Sequence, residues 1–181
     1  MQIEDGAGTG RNAKVDSENR LHTEAVTLSA ERHVNQEEGE SYNVVFTASP
    51  TGVDPAIFYI KNTADIDMIV EGVWWRTVAA EIVSYKLGDT GTPVAGTTVT
   101  PANLNASSGK IADATTEYGV DITGLSGGSV VQTIYLPAGD ESKFYNCEQG
   151  VIVPQNQTFT IYSAASGTLN GTVVINFHSV E

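Results

Sequence analysis

The segment Thr172-Val-Val-Ile-Asn-Phe-His178 decides the fold. Val173, Ile175 and Phe177 fall on one side of an extended chain. Thr172, Val174, Asn176 and His178 fall on the other. A strict period of two, carried by β-branched and aromatic residues, marks a half-buried strand. It predicts a final strand that pins the C-terminal end of the chain to a sheet.

The same chemistry recurs upstream from Tyr42 onward. Strands are expected over Tyr42–Ala48, Ala56–Asn62, Asp67–Thr77, Val78–Leu87 and Thr97–Thr100. More are expected over Val130–Leu136, Lys143–Cys147, Val151–Val153, Gln157–Ser163 and Gly171–His178. Turn-forming clusters separate them: Ser49–Gly52, Gly88–Gly91, Ser107–Gly109, Gly124–Gly128, Pro137–Asp140 and Ser166-Gly167. Short strands with frequent turns predict a sandwich or barrel, and no strand–helix rhythm supports a parallel sheet. Tyr135–Lys143 followed by Val151–Ile161 reads as short strand, tight turn, strand. Hairpins of this kind cross between the two sheets of jelly-roll domains. The expected fold is all-β: a jelly-roll-like β-sandwich over residues 41–181.

Within Asp67–Thr77, the adjacent Trp74-Trp75 must point to opposite faces of a strand. One of them belongs to the core. The other belongs near the surface, or under a neighbour.

Residues 1–40 differ in composition. They are polar and charged, and Gly6, Gly8 and Gly10 alternate. Such a segment buries little by itself and reads as an extended arm that lies on something else. Ala13–Val15 and Asn19–Leu21 are candidate strand pieces around a turn at 16–18. A short helix near 29–38 is a candidate too, capped by Ser29 and ended by Gly39, with Ala30 and Val34 as its thin apolar face.

The chain has 181 residues, net charge −13 and one cysteine. Acid is spread along it: residues 1–45 carry nine acids and four bases. This surface repels nucleic-acid phosphates and anionic lipid, and no basic cluster reverses that locally. Neither nucleic acid nor a membrane is an expected partner. No basic, then apolar, leader pattern is visible, and no apolar run is long enough to span a bilayer. Assembly in a cytoplasm is expected.

Chemistry-bearing patterns are sparse. Cys147 excludes an internal disulfide and reads as a small apolar residue in a strand. His22, His33 and His178 have no metal-ligand spacing. The Gly6-x-Gly8-x-Gly10 series lacks the spacing and the lysine of a phosphate loop. Asp65, Asp67, Asp89, Asp140 and Glu141 are candidate cation ligands, but without a calcium-loop pattern they read as solvated turn formers. No catalytic residue, metal or cofactor is expected. The surface tryptophan and several tyrosines could build a sugar platform, though an interface is the commoner fate of such residues.

The stretch Ile3-Glu-Asp-Gly-Ala-Gly-Thr-Gly-Arg-Asn-Ala-Lys-Val-Asp-Ser-Glu-Asn-Arg-Leu21, with Ser41-Tyr-Asn43 and Tyr59-Ile-Lys-Asn62 after it, resembles the opening of a family of tailed-bacteriophage virion proteins. The likeness covers about the first quarter of the chain. It implies a non-enzymatic structural protein on the capsid surface, assembled in the host bacterial cytoplasm. The favoured role is a head decoration or cement subunit, a homotrimer bound to the major capsid protein. The alternative is a tail- or fibre-associated module that binds cell-surface carbohydrate. The residues expected at assembly contacts are Ile3, Lys14, Val15, Arg20 and Leu21 in the arm, and Trp74 or Trp75 in the body. Lys14 and Arg20 would bond a neighbour's acidic or carbonyl groups. Ile3, Val15 and Leu21 would anchor in apolar grooves.

Overall fold

A computed structural model describes residues 14–15, 21–22, 32, 34–164 and 167–177. The chain forms two antiparallel sheets packed face to face. In order, its strands are β1 (Lys14–Val15), β2 (Leu21–His22), β3 (Ser41–Ala48), β4 (Ala56–Asn62), β5 (Met68–Thr77), β6 (Glu81–Leu87) and β7 (Thr90–Val94). They continue as β8 (Thr97–Thr98), β9 (Ala102–Asn103), β10 (Ala114–Ser126), β11 (Ser129–Leu136), β12 (Gly139–Val153), β13 (Thr158–Ser163) and β14 (Leu169–Phe177).

The first sheet runs β11-β6-β13-β4-β10-β7, with β8 also on β10, and the second runs β12-β5-β14-β3-β9. Pairing is nested: β3 with β14, β4 with β13, β5 with β12, and β6 with β11. A ribbon paired first-to-last and wound across two sheets is a jelly roll. The predicted crossings follow: β11 to β12 changes sheet, and β12 to β13 changes back.

The core is the set of inward positions that alternation selects. On β14, Val173, Ile175 and Phe177 are buried, as the period of two requires. Opposite them lie Phe58, Ile60, Phe159 and Ile161 of the first sheet. Phe46 stacks on Phe58 across the sandwich at 4.9 Å, and Trp75 meets Phe46 edge-on at 5.7 Å. Such pairs add about 0.5–1.5 kcal/mol beyond area burial. Buried hydrogen bonds also span the two sheets: Trp75 Nε1–H donates to the Tyr85 hydroxyl at 2.8 Å, and Asn62 Nδ2 donates to the Val153 carbonyl at 2.9 Å. Burial of Tyr85 raises its pKa.

Two expectations change in detail. Lys143–Cys147 and Val151–Val153 are parts of one strand, β12. Its register on β5 skips between Asn146, opposite Gly72, and Val151, opposite Val70, so the break is a bulge and not a turn. Of the expected 29–38 helix, Arg32 is α-helical and Val34–Glu38 form one π-helical turn, while 29–31 and 33 lie outside the described residues. Gly39 ends the turn with φ of 67° and donates its N–H to the Val34 carbonyl, while Val34 itself is buried.

Sequence patterning missed β7 and all of β10. Both lie in the excursion 88–128 between β6 and β11. β10 carries glycines at 119 and 124, which argue against a strand. The fold uses Gly124 for close backbone approach: a Cβ there would sit 2.4 Å from the Thr92 carbonyl oxygen, and its φ is +80°.

The excursion covers the outer side of β4 and β13 in the first sheet. Ile122 and Leu125 pack there on Ala56, Tyr59 and Tyr162. A bulge at Ile57 makes this possible. Ala56 pairs with Tyr162 and Phe58 with Ile161, so Ile57 and Phe58 both turn inward and Ala56 joins Tyr59 outside. Asp89 clasps the excursion to β13. Its carbonyl accepts from Thr158 Oγ1 at 2.8 Å, and its carboxylate accepts from Thr160 Oγ1 and from the Gly128 N–H.

Candidate functional site

While the outer side of β4 and β13 is covered, the outer face of the second sheet is open. Register places its side chains in rows. Phe144, Trp74, Thr172 and Val45 form one row across β12, β5, β14 and β3. The next is Asn146, Gly72, Val174 and Asn43, and the third is Ile152, Ile69, Asn176 and Ser41. In a chain of net charge −13, these rows carry no charged residue. Glu71 stands beside them, where the β5–β14 register shifts.

A groove of about 590 Å³ lies on this face. Its floor is Ser41, Asn43, Val174 and Asn176, one side is Trp74 and Phe144, and Asn35, Arg32 and Leu104 close the end. Trp74 is 45% exposed and Phe144 39%, with ring centroids 5.1 Å apart. Gly72 makes this pairing possible, because the Phe144 ring lies where a Gly72 Cβ would be, 2.6 Å from its Cζ. Asn176 Nδ2 donates to Glu71 Oε1 at 2.8 Å, which engages the groove's carboxylate. Asn35 Oδ1, Ser41 Oγ and Asn43 Oδ1 are buried without a hydrogen-bond partner among the described residues. A buried polar atom without a partner costs about 1–3 kcal/mol.

A second surface lies at the edge of the first sheet. Among the described residues β11 pairs on one side only, with β6, and it contains no charged residue. Val130, Val131 and Tyr135 are exposed on it, with Ile82 beside Tyr135 on β6. Edge strands in soluble proteins are commonly guarded by lysine, proline or inward charge. β11 has none of these, only a bulge at Val131.

The sequence-predicted contact residues fall in three places. Ile3 and Arg20 lie outside the described residues. Lys14, Val15 and Leu21 belong to a small antiparallel pair, Lys14 opposite His22 and Val15 opposite Leu21. That pair falls on the expected strand pieces, and the turn expected at 16–18 lies outside the described residues. Of the two tryptophans, Trp75 is corrected: at 2% exposure it is a core residue and presents nothing to a partner. Trp74 is the surface one. Phe144, Asn43 and Asn176 were missed. Alternation in Lys143–Cys147 was the available signal, since it puts Phe144 and Asn146 on the face opposite Tyr145 and Cys147.

Among the described residues, no three of His, Cys, Asp and Glu converge as a metal set. Cys147 is buried, and burial, helped by the nearby Glu71 charge, pushes its thiol up to about 11. That disfavours the thiolate a nucleophile needs. Tyr162 is pushed up to about 12 by burial and then by Asp89, with Lys86 Nζ 3.4 Å over its ring. No helix among the described residues is long and apolar enough to cross a membrane. No protein-family model matches the chain, and neither a curated protein nor a solved structure matches it.

Proposed function

We propose that this chain is a non-enzymatic structural subunit of a tailed-bacteriophage virion, a head decoration or cement protein that self-associates as a homotrimer and binds the outer face of the major capsid protein. The observation that carries the reading is the uncharged edge strand β11 with its exposed Val130, Tyr135 and neighbouring Ile82. Copies of net charge −13 repel one another over most of their surfaces. They can meet closely only where charge is absent. A free strand edge with apolar side chains supplies both backbone pairing and buried area. The resemblance of residues 3–21 to phage virion proteins supports the virion setting, and the arm is expected to add contacts on a trimer mate or on the capsid.

The test is the mass in solution, by light scattering, of the full chain, of the chain lacking residues 2–22, and of Ile82→Glu/Tyr135→Glu, each also mixed with capsids that lack this subunit. The reading expects a trimer that binds capsids. It expects loss of the trimer, with the fold retained by circular dichroism, in the double variant, and loss of attachment or trimerisation in the truncated chain. A full-length monomer that leaves capsids bare refutes it.

A second reading is a tail- or fibre-associated module that binds cell-surface carbohydrate. Half-exposed Trp74 beside Phe144, at the edge of an asparagine-lined groove, favours it.

A further inference from the structure

The geometry points to the groove on the outer face of the second sheet as a binding site for a neutral saccharide unit, held between the Trp74–Phe144 pair and the polar floor of Ser41 and Asn43. The inference shares its ligand class with the carbohydrate reading above, and it does not depend on where in a virion the chain sits.

Three observations converge. First, three of the four residues with buried, unpartnered side-chain atoms among the described residues line this one groove: Asn35, Ser41 and Asn43. Ser41 is 3% exposed, so its hydroxyl is withdrawn from solvent, yet it has no hydrogen-bond partner among the described residues. Buried polar atoms are nearly always satisfied, and a set of exceptions gathered in one concavity marks where an outside hydrogen-bonding group belongs. Second, the wall is aromatic and half-exposed. Apolar C–H faces of a sugar ring pack on the electron-rich face of an indole, while its hydroxyls reach the amides and the serine. Third, apart from Arg32 at the end and Glu71, the polar groups are carboxamides and a hydroxyl. The one carboxylate, Glu71, already accepts from Asn176. The chain's charge of −13 disfavours an anionic ligand. A volume of about 590 Å³ is within the usual range for small-molecule sites.

The full chain is titrated by calorimetry with glucose, galactose, mannose, N-acetylglucosamine and glucuronic acid, and applied to an array of immobilised glycans. Saturable heat from a neutral sugar, with Kd on the order of millimolar, is expected. So is a loss of about tenfold or more in Trp74→Ala. Ser41→Ala removes an unpartnered buried hydroxyl, so its melting temperature should hold or rise while sugar binding weakens. A purely structural role for Ser41 would lower the melting temperature instead. Array binding without binding of free sugars makes the ligand a terminal unit of a surface glycan. Binding of free sugars shows that the unit alone suffices. The inference is overturned by no saturable signal in either format, by binding that Trp74→Ala leaves intact, or by glucuronic acid binding as well as the neutral sugars. Capsid attachment and solution mass are separate readouts, so failure here leaves the assembly reading standing.

Discussion

Asp89→Ala should loosen the covering of the first sheet and cost about 3–4 kcal/mol. Asp89 is buried, and its carboxylate is the acceptor for the fully buried Thr160 hydroxyl and for the Gly128 N–H. Hydrogen bonds to a charged group are worth about 1.5–3 kcal/mol each. Two are lost, and release of a buried carboxylate offsets part of that. For a chain of this size the loss lowers Tm by roughly 6–15 °C. Thr160→Val should cost about 1.5–3 kcal/mol alone. In Asp89→Ala/Thr160→Val neither group is left waiting for the other, so the double variant should fall short of the sum by about 1 kcal/mol or more. Urea denaturation measures all three. Hydrogen exchange should show amides of 88–94 and 122–128 opening first, while β3 and β14 stay protected. If Asp89→Ala costs less than about 1 kcal/mol, or the two substitutions add without coupling, the clasp is not what holds the excursion down.

Gly72→Ala should destabilise by about 1–3 kcal/mol, because a Cβ there would sit 2.5 Å from the Tyr145 carbonyl oxygen, which the β5–β12 pairing holds in place. It should also displace Phe144 and shift the Trp74 fluorescence; an unchanged denaturation midpoint and spectrum would contradict the packing. For Cys147, the ordinary thiol value of 9.0 rises to about 11 in the folded chain. Below pH 9 both states keep the proton and nothing is lost. Between pH 9 and 11 the unfolded chain releases it first, so stability falls by up to about 2–3 kcal/mol. Cys147→Ala should flatten that part of the alkaline fall, measured as unfolding free energy against pH. A parallel pair of curves would show that the thiol does not contribute.

The strands of the jelly roll were legible because their inward positions alternate. Val173, Ile175 and Phe177 needed no knowledge of their neighbours to be placed in a core. Ala56–Asn62 was legible as a strand from composition alone. That it is buried on both faces was not, since its outer side is covered by Ile122 and Leu125 from more than sixty residues away. β10 was hidden because glycine argues locally against a strand, and only the close approach of Thr92 explains Gly124.

By itself, the sequence determined fold class, strand periodicity, the acidic surface and the opposition of Trp74 to Trp75, because these follow from residue type and a two-residue repeat. Tertiary structure decided which tryptophan is buried, which sheet face the excursion covers, and that Ser41, Asn43, Trp74 and Phe144 from three strands share one groove. Those outcomes depend on register and on bulges at Ile57, Glu71 and residues 147–150. A one-residue slip in pairing reverses every face, and partners far apart in the chain set that register.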